Sequence, residues 1–123
     1  MMHNNKRLAA LGRLKAGQMN KTEAAYAQHL ELLRRAGEIQ WYRFDGIKLR
    51  LADKTFLTVD FAVMDLDGVM ELHDTKGGPG VFTDDAKVKM KVAAEMYPFR
   101  FKVAFPRAKK HGGGWTIEVI GNG

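Results

Sequence analysis

An α+β domain in the order αβββαββ is what the sequence predicts, and three observations predict it. An amphipathic helix pattern opens the ordered part of the chain. Alternating apolar stretches with turn chemistry between them follow it. A second helix pattern then separates these from two further alternating stretches. At 123 residues the chain holds one core and not two independent ones.

Residues 1–19, with Lys6, Arg7, Arg13 and Lys15 around a few leucines, carry too little apolar surface to ensure a docked helix, so a basic N-terminal arm is expected there and a single domain over 20–123. In the stretch from Asn20, Ala25, Tyr26, Leu30, Leu33 and Ala36 recur at helical steps and Gly37 follows Arg34-Arg35 as a stop. Asn20 and Glu23 have capping-box spacing, which gives Glu23 a structural role of its own. The strands read as 38–44, a turn at Asp45-Gly46, 47–51, then 55–64 and 69–76 joined through Asp67-Gly68. After a glycine-rich loop at 77–80, Thr83 is the N-cap of a second helix, with Val88, Val92, Ala93 and Met96 as its apolar face and Pro98 as its stop. Residues 99–105 and 115–120 alternate as strands around the linker 106–114, whose "HGGG" reads as a flexible turn.

Composition closes several function classes. There is no cysteine and no serine, which removes disulfides, thiolate zinc sites and Ser-His-Asp chemistry, and the four histidines have no metal-ligand spacing. No run of 18 apolar residues and no secretory pattern occurs, so a cytoplasmic protein without a membrane partner is expected. Twenty Lys and Arg against fourteen Asp and Glu give a net charge of +6, which favours an anionic partner.

Against that basic background, Asp60, Asp65, Asp67, Glu71 and Asp74 crowd into 58–78 with one lysine, Lys76. Strand alternation puts Leu72, Asp74 and Lys76 on one face and Glu71, His73 and Thr75 on the other. A hairpin through Asp67-Gly68 brings Asp60 to the end where Asp74 lies. Carboxylates so close repel unless a cation intervenes; hard oxygen donors select Mg²⁺, with Mn²⁺ as substitute, and such an ion stabilises charge during phosphodiester hydrolysis. Acids at hairpin ends are also common as plain turn residues, and both readings stand on spacing alone. Asp65 and Asp67 in "DLDG" are read as turn residues, because Val63 stands where a calcium loop needs its first ligand.

Asp60 followed by Asp74-Thr75-Lys76 on the next strand, with helical Glu23 before and a lysine-rich helix after, resembles the PD-(D/E)XK nuclease superfamily, and within it small phage and prophage endonucleases related to Holliday-junction resolvases. The resemblance spans about residues 20–119. It implies a restriction-endonuclease-like αβββαβ core with a central mixed sheet flanked by helices, and a Mg²⁺-dependent endonuclease acting on DNA, branched DNA included, in the host cytoplasm if phage-encoded. By resemblance Asp60 and Asp74 ligate the metal with the Thr75 carbonyl as a further ligand, Lys76 serves the attacking water, and Glu23 approaches a second metal. Val59 stands where the family has proline, and Asp74 replaces the commoner glutamate. DNA contacts are expected from Lys89 and Lys87 on the second helix and from Lys48 and Arg50, by backbone and shape and not by sequence. A homodimer is implied by the resemblance alone. The alternative is a non-catalytic DNA-binding or recombination accessory protein on the same fold.

Overall fold

The structure, a computed structural model, describes residues 18–121. The arm expected over 1–19 lies outside the described residues as far as Gly17, whereas Met19 packs against the core. A five-stranded mixed sheet in the order β1-β2-β3-β4-β5 is flanked by two helices, so the α+β class and the order αβββαββ are as the sequence predicts, with the stretches 38–44 and 47–51 forming one strand.

Helix α1, Lys21–Arg35, begins with a complete capping box: Asn20 Oδ1 accepts from Glu23 N at 2.8 Å, and Glu23 Oε1 accepts from Asn20 N at 2.9 Å. It ends in a Schellman motif, with Gly37 at φ +77° and the Glu38 N–H bonded to Leu33 O at 2.9 Å. The buried stripe is Tyr26 and Leu30, set against Phe61, Val63 and Ala104 of the sheet.

Strand β1, Ile39–Ala52, runs antiparallel to β2, Thr55–Asp65. Asp45-Gly46 is therefore not a turn between strands. The register jumps from Phe44↔Phe61 to Ile47↔Val59, so Asp45 and Gly46 together oppose Asp60 as a bulge, with Gly46 at φ +58°. The reversal comes instead at Asp53-Lys54, where Lys54 takes φ +54°. Asp-Gly is the strongest short hairpin signal, but a bulge demands the same left-handed glycine, and strand length decided between them.

β2 pairs antiparallel with β3, Met70–Thr75, through a turn in which Asp65 Oδ1 accepts from Asp67 N and Val69 N, both at 2.9 Å. Asp65 and Asp67 are thus turn residues, as read from sequence. After a short 3₁₀ turn at Pro79–Val81, helix α2, Asp84–Met96, carries the crossover to β4, Arg100–Pro106, which lies parallel to β3. β5, Trp115–Ile120, pairs antiparallel with β4 at the sheet edge.

The apolar face of α2 differs from the expected one. Met90 and Ala93 are buried and Ala86 and Ala94 pack beside them, while Val88, Val92 and Met96 are 58%, 37% and 51% exposed. The sheet and loop surface beneath α2 is filled by Phe82, Phe101 and Phe105, so small alanines facing it let the helix approach closely.

Candidate functional site

Two features of the sheet create the site. Leu57 and Val59 face the α2 side whereas Phe61 and Val63 face the α1 side, so the alternation of β2 changes phase at Asp60, opposite the β1 bulge. The paired β2–β3 ladder also ends at Phe61↔His73. One step further on, Thr75 finds its partner in a side chain: Asp60 Oδ2 accepts from Thr75 N at 3.0 Å and from Thr75 Oγ1 at 2.9 Å. Asp60 thereby closes the ladder while its carboxyl sits at the mouth of an opening between strands.

Asp74 faces the same opening and is 6% exposed. Lys76 Nζ lies 3.0 Å from Asp74 Oδ2, and the Lys76 N–H is held by Ala104 O at 3.0 Å. Burial, reinforced by the charge of Asp60, pushes the Asp74 carboxyl up to about 7, against the opposing pull of Lys76. Asp60, Asp74, Thr75 and Lys76, joined by Asn20, Thr22 and Glu23 at the start of α1 and by Thr58, Gly77 and Val81, line a cleft of about 410 Å³.

The arrangement brings together Glu23, Asp60, Asp74, Thr75 and Lys76. Glu23 lines the cleft and closes the capping box at once, so the two roles weighed for it are compatible in place. Lys87, Lys89, Lys48 and Arg50 do not line it. Lys87 lies over Phe82, Lys48 lies over Phe56, Lys89 is exposed on α2, and the Arg50 carbonyl accepts from Tyr97 Oη at 2.6 Å. Asn20 was singled out only as a helix cap, and Thr22 and Thr58 not at all; nothing in a lone threonine marks it, and only the meeting of the start of α1 with β2 brings them here.

On the opposite face of β3 a buried polar chain runs from α1 to β4. Tyr26 Oη lies 2.7 Å from His73 Nδ1, His73 Nε2 lies 2.8 Å from Glu71 Oε1, and Lys102 Nζ lies 3.0 Å from the same oxygen. Burial, helped by the charge of Lys102, lowers the His73 pKa in spite of Glu71, so the ring is neutral, donates from Nε2 to Glu71 and accepts at Nδ1 from Tyr26. Burial would raise Glu71, but His73 and Lys102 hold it below the usual carboxylate range. The alternation Glu71-x-His73 was visible in the sequence; its partners, 47 residues before and 31 after, were not.

Among the described residues no three His, Asp or Glu side chains converge as a closed metal cage would require. The cleft is lined by the carboxylates of Glu23, Asp60 and Asp74 with no histidine among them, a hard-oxygen set that suits Mg²⁺, an ion that keeps several waters and completes its shell with phosphate oxygens. No helix among the described residues is long and apolar enough to cross a membrane. Comparison with protein-family models, with curated proteins and with solved structures finds no match.

Proposed function

We propose that the chain is a Mg²⁺-dependent endonuclease hydrolysing DNA phosphodiester bonds, branched DNA such as Holliday junctions included, in recombination or processing of phage DNA in the host cytoplasm. The observation that carries this reading is the meeting of Asp60, Asp74 and Lys76 in one open cleft, with Asp74 held 3.0 Å from the lysine. Asp60 and Asp74 would hold the ion, with the Thr75 carbonyl as a further ligand and Glu23 at the cleft wall toward a second. Mn²⁺ would substitute. The bound ion supplies positive charge to the phosphoryl oxygens as they gain negative charge.

The Lys76 ammonium orients the attacking water and neutralises the phosphate. As the water oxygen bonds to phosphorus, the bond to the leaving sugar oxygen breaks; the water's proton passes to solvent and the departing oxygen takes one up. Burial of Asp74 in the cleft wall and its contact with Lys76 restrict its motion and so position the ligand before substrate arrives. A homodimer would supply the second site needed for paired cuts.

The test is a plasmid-nicking and four-way-junction assay with Mg²⁺ or EDTA. Wild type should cut only with Mg²⁺, and Asp60→Asn and Lys76→Ala should lose cleavage by about 10²-fold or more while still binding DNA. Equal cleavage by wild type and Lys76→Ala would remove Lys76 from the reaction.

One observation favours a second reading. Asp60 already accepts twice from Thr75 and Asp74 already pairs with Lys76, so both acids are satisfied without a metal. A non-catalytic DNA-binding or recombination accessory protein would keep these contacts, bind DNA in a salt-sensitive way and give no metal-dependent product.

A further inference from the structure

The β4–β5 connection, Arg107 to Gly114, plays no part in the cleft chemistry, yet it is the most uniformly basic stretch among the described residues. Between Glu95 and Glu118 the chain has no carboxylate, while Arg100, Lys102, Arg107, Lys109 and Lys110 fall within it, with His111 beside them. The tip residues Lys109, Lys110 and His111 are exposed and form a single 3₁₀ turn.

The loop is braced. Arg107 N–H bonds Gly114 O at 3.0 Å and the Arg107 Nε–H bonds Gly113 O at 3.0 Å, while Ala108 O accepts from His111 N at 2.9 Å and from Gly113 N at 3.0 Å. Gly112, Gly113 and Gly114 all take positive φ, at +97°, +64° and +70°, a succession that side-chain-bearing residues disfavour. The arginine is thus spent on holding the loop, and the lysines are left presented at its tip.

Topology sets this tip at the cleft end of the sheet. β3 and β4 are parallel with Thr75↔Ala104 in register, and β3 ends there while β4 continues through Phe105 and Pro106. At about 3.3 Å per residue, Arg107 stands roughly 10 Å beyond Thr75 along the strand direction. On the other side of β3, the β1–β2 hairpin also runs past Asp60, carrying Lys48, Arg50 and Lys54. Trp115, the first residue of β5, packs on Tyr26 of α1, which ties the base of the loop to the helix whose first turn lines the cleft.

We propose that the β4–β5 loop is a DNA-backbone contact, in which Lys109 and Lys110 grip phosphates of the strand that enters the cleft and Arg107 positions them. This rests on the DNA reading above and adds to it a binding surface outside the cleft. Its partner is DNA phosphate, recognised without base contacts, because the tip offers only charge.

The experiment measures the affinity of the full chain for a labelled linear duplex in EDTA over a range of salt, with cleavage in Mg²⁺ assayed in parallel. The Lys109→Ala/Lys110→Ala variant should melt at the wild-type temperature, bind more weakly, and show a slope of log affinity against log salt smaller by about 2, or roughly 0.9 for each phosphate contact. Lys109→Arg/Lys110→Arg should restore both. An unchanged slope and affinity in the alanine variant, with wild type still cutting DNA, overturns the loop assignment and leaves the nuclease reading standing. A wild-type chain that neither binds nor cuts DNA overturns both.

Discussion

At the scale of residues, the site is an electrostatic compromise. Asp74 is buried beside another carboxylate, and its folded pKa is raised to about 7 from 3.8. A raised pKa means that the folded chain holds the proton more tightly than the unfolded one. The stabilising contribution is complete below pH 3.8 and is lost as pH rises through about 7. Asp74→Asn keeps the neutral form throughout. In EDTA it should melt above wild type by a few degrees at about pH 8, with a margin that shrinks toward about pH 4; a margin that does not change with pH would refute the burial argument. Tyr26→Phe tests the far face of the same strand. It leaves His73 Nδ1 buried without a donor, so urea unfolding should show a loss of about 1–3 kcal/mol with an unchanged m-value. The pairing of Asp74 with Lys76 could be read in advance from the period of a strand. The Tyr26–His73 bond could not, because no local rule links positions 47 apart.

At the scale of elements, the caps were legible and the faces less so. Asn20, Glu23 and Gly37 act through bonds within five residues, and each did what its chemistry predicts. The choice between the two apolar stripes of α2 depends on what lies opposite, and Phe101 and Phe105 arrive from later in the chain. The β1 bulge misled for the same reason: Gly46 serves a bulge or a turn equally well until the pairing with Phe61 and Val59 fixes the register. That bulge faces the phase change at Asp60, so the element that disguised strand length also aims the acid. The true reversal contains a residue at a cost. Lys54 occupies left-handed backbone at φ +54°, which glycine adopts without penalty. Lys54→Gly should therefore raise the unfolding free energy measured in urea by roughly 1 kcal/mol. A destabilised Lys54→Gly would mean that the side chain holds the turn by a contact worth more than the strain.

At the scale of the whole molecule, the cleft exists because β3 stops where its neighbours continue, and the fold class alone already implied such an end: a crossover through α2 must leave the sheet at the last residue of β3. What the sequence left hidden was which loops would border the gap. The glycine-rich "HGGG" looked like slack and is a braced turn, since three left-handed glycines are indistinguishable from a flexible run until their hydrogen bonds are seen. Metal linkage offers the most direct view of whether this end of the sheet works as one unit. A ligand that binds only the folded chain raises its melting temperature, and a carboxylate must lose its proton before it can ligate. With the Asp74 carboxyl pushed up to about 7 by burial and by Asp60, a Mg²⁺ ion held there as proposed would compete with a proton for the same oxygen. The Mg²⁺-induced rise in melting temperature should accordingly be clear at about pH 8 and fade by about pH 6, where binding weakens roughly tenfold per unit. It should vanish in Asp60→Asn and Asp74→Asn at both values. A rise that is the same at the two pH values, or that survives Asp60→Asn, would locate the ion elsewhere and detach the cleft from metal chemistry.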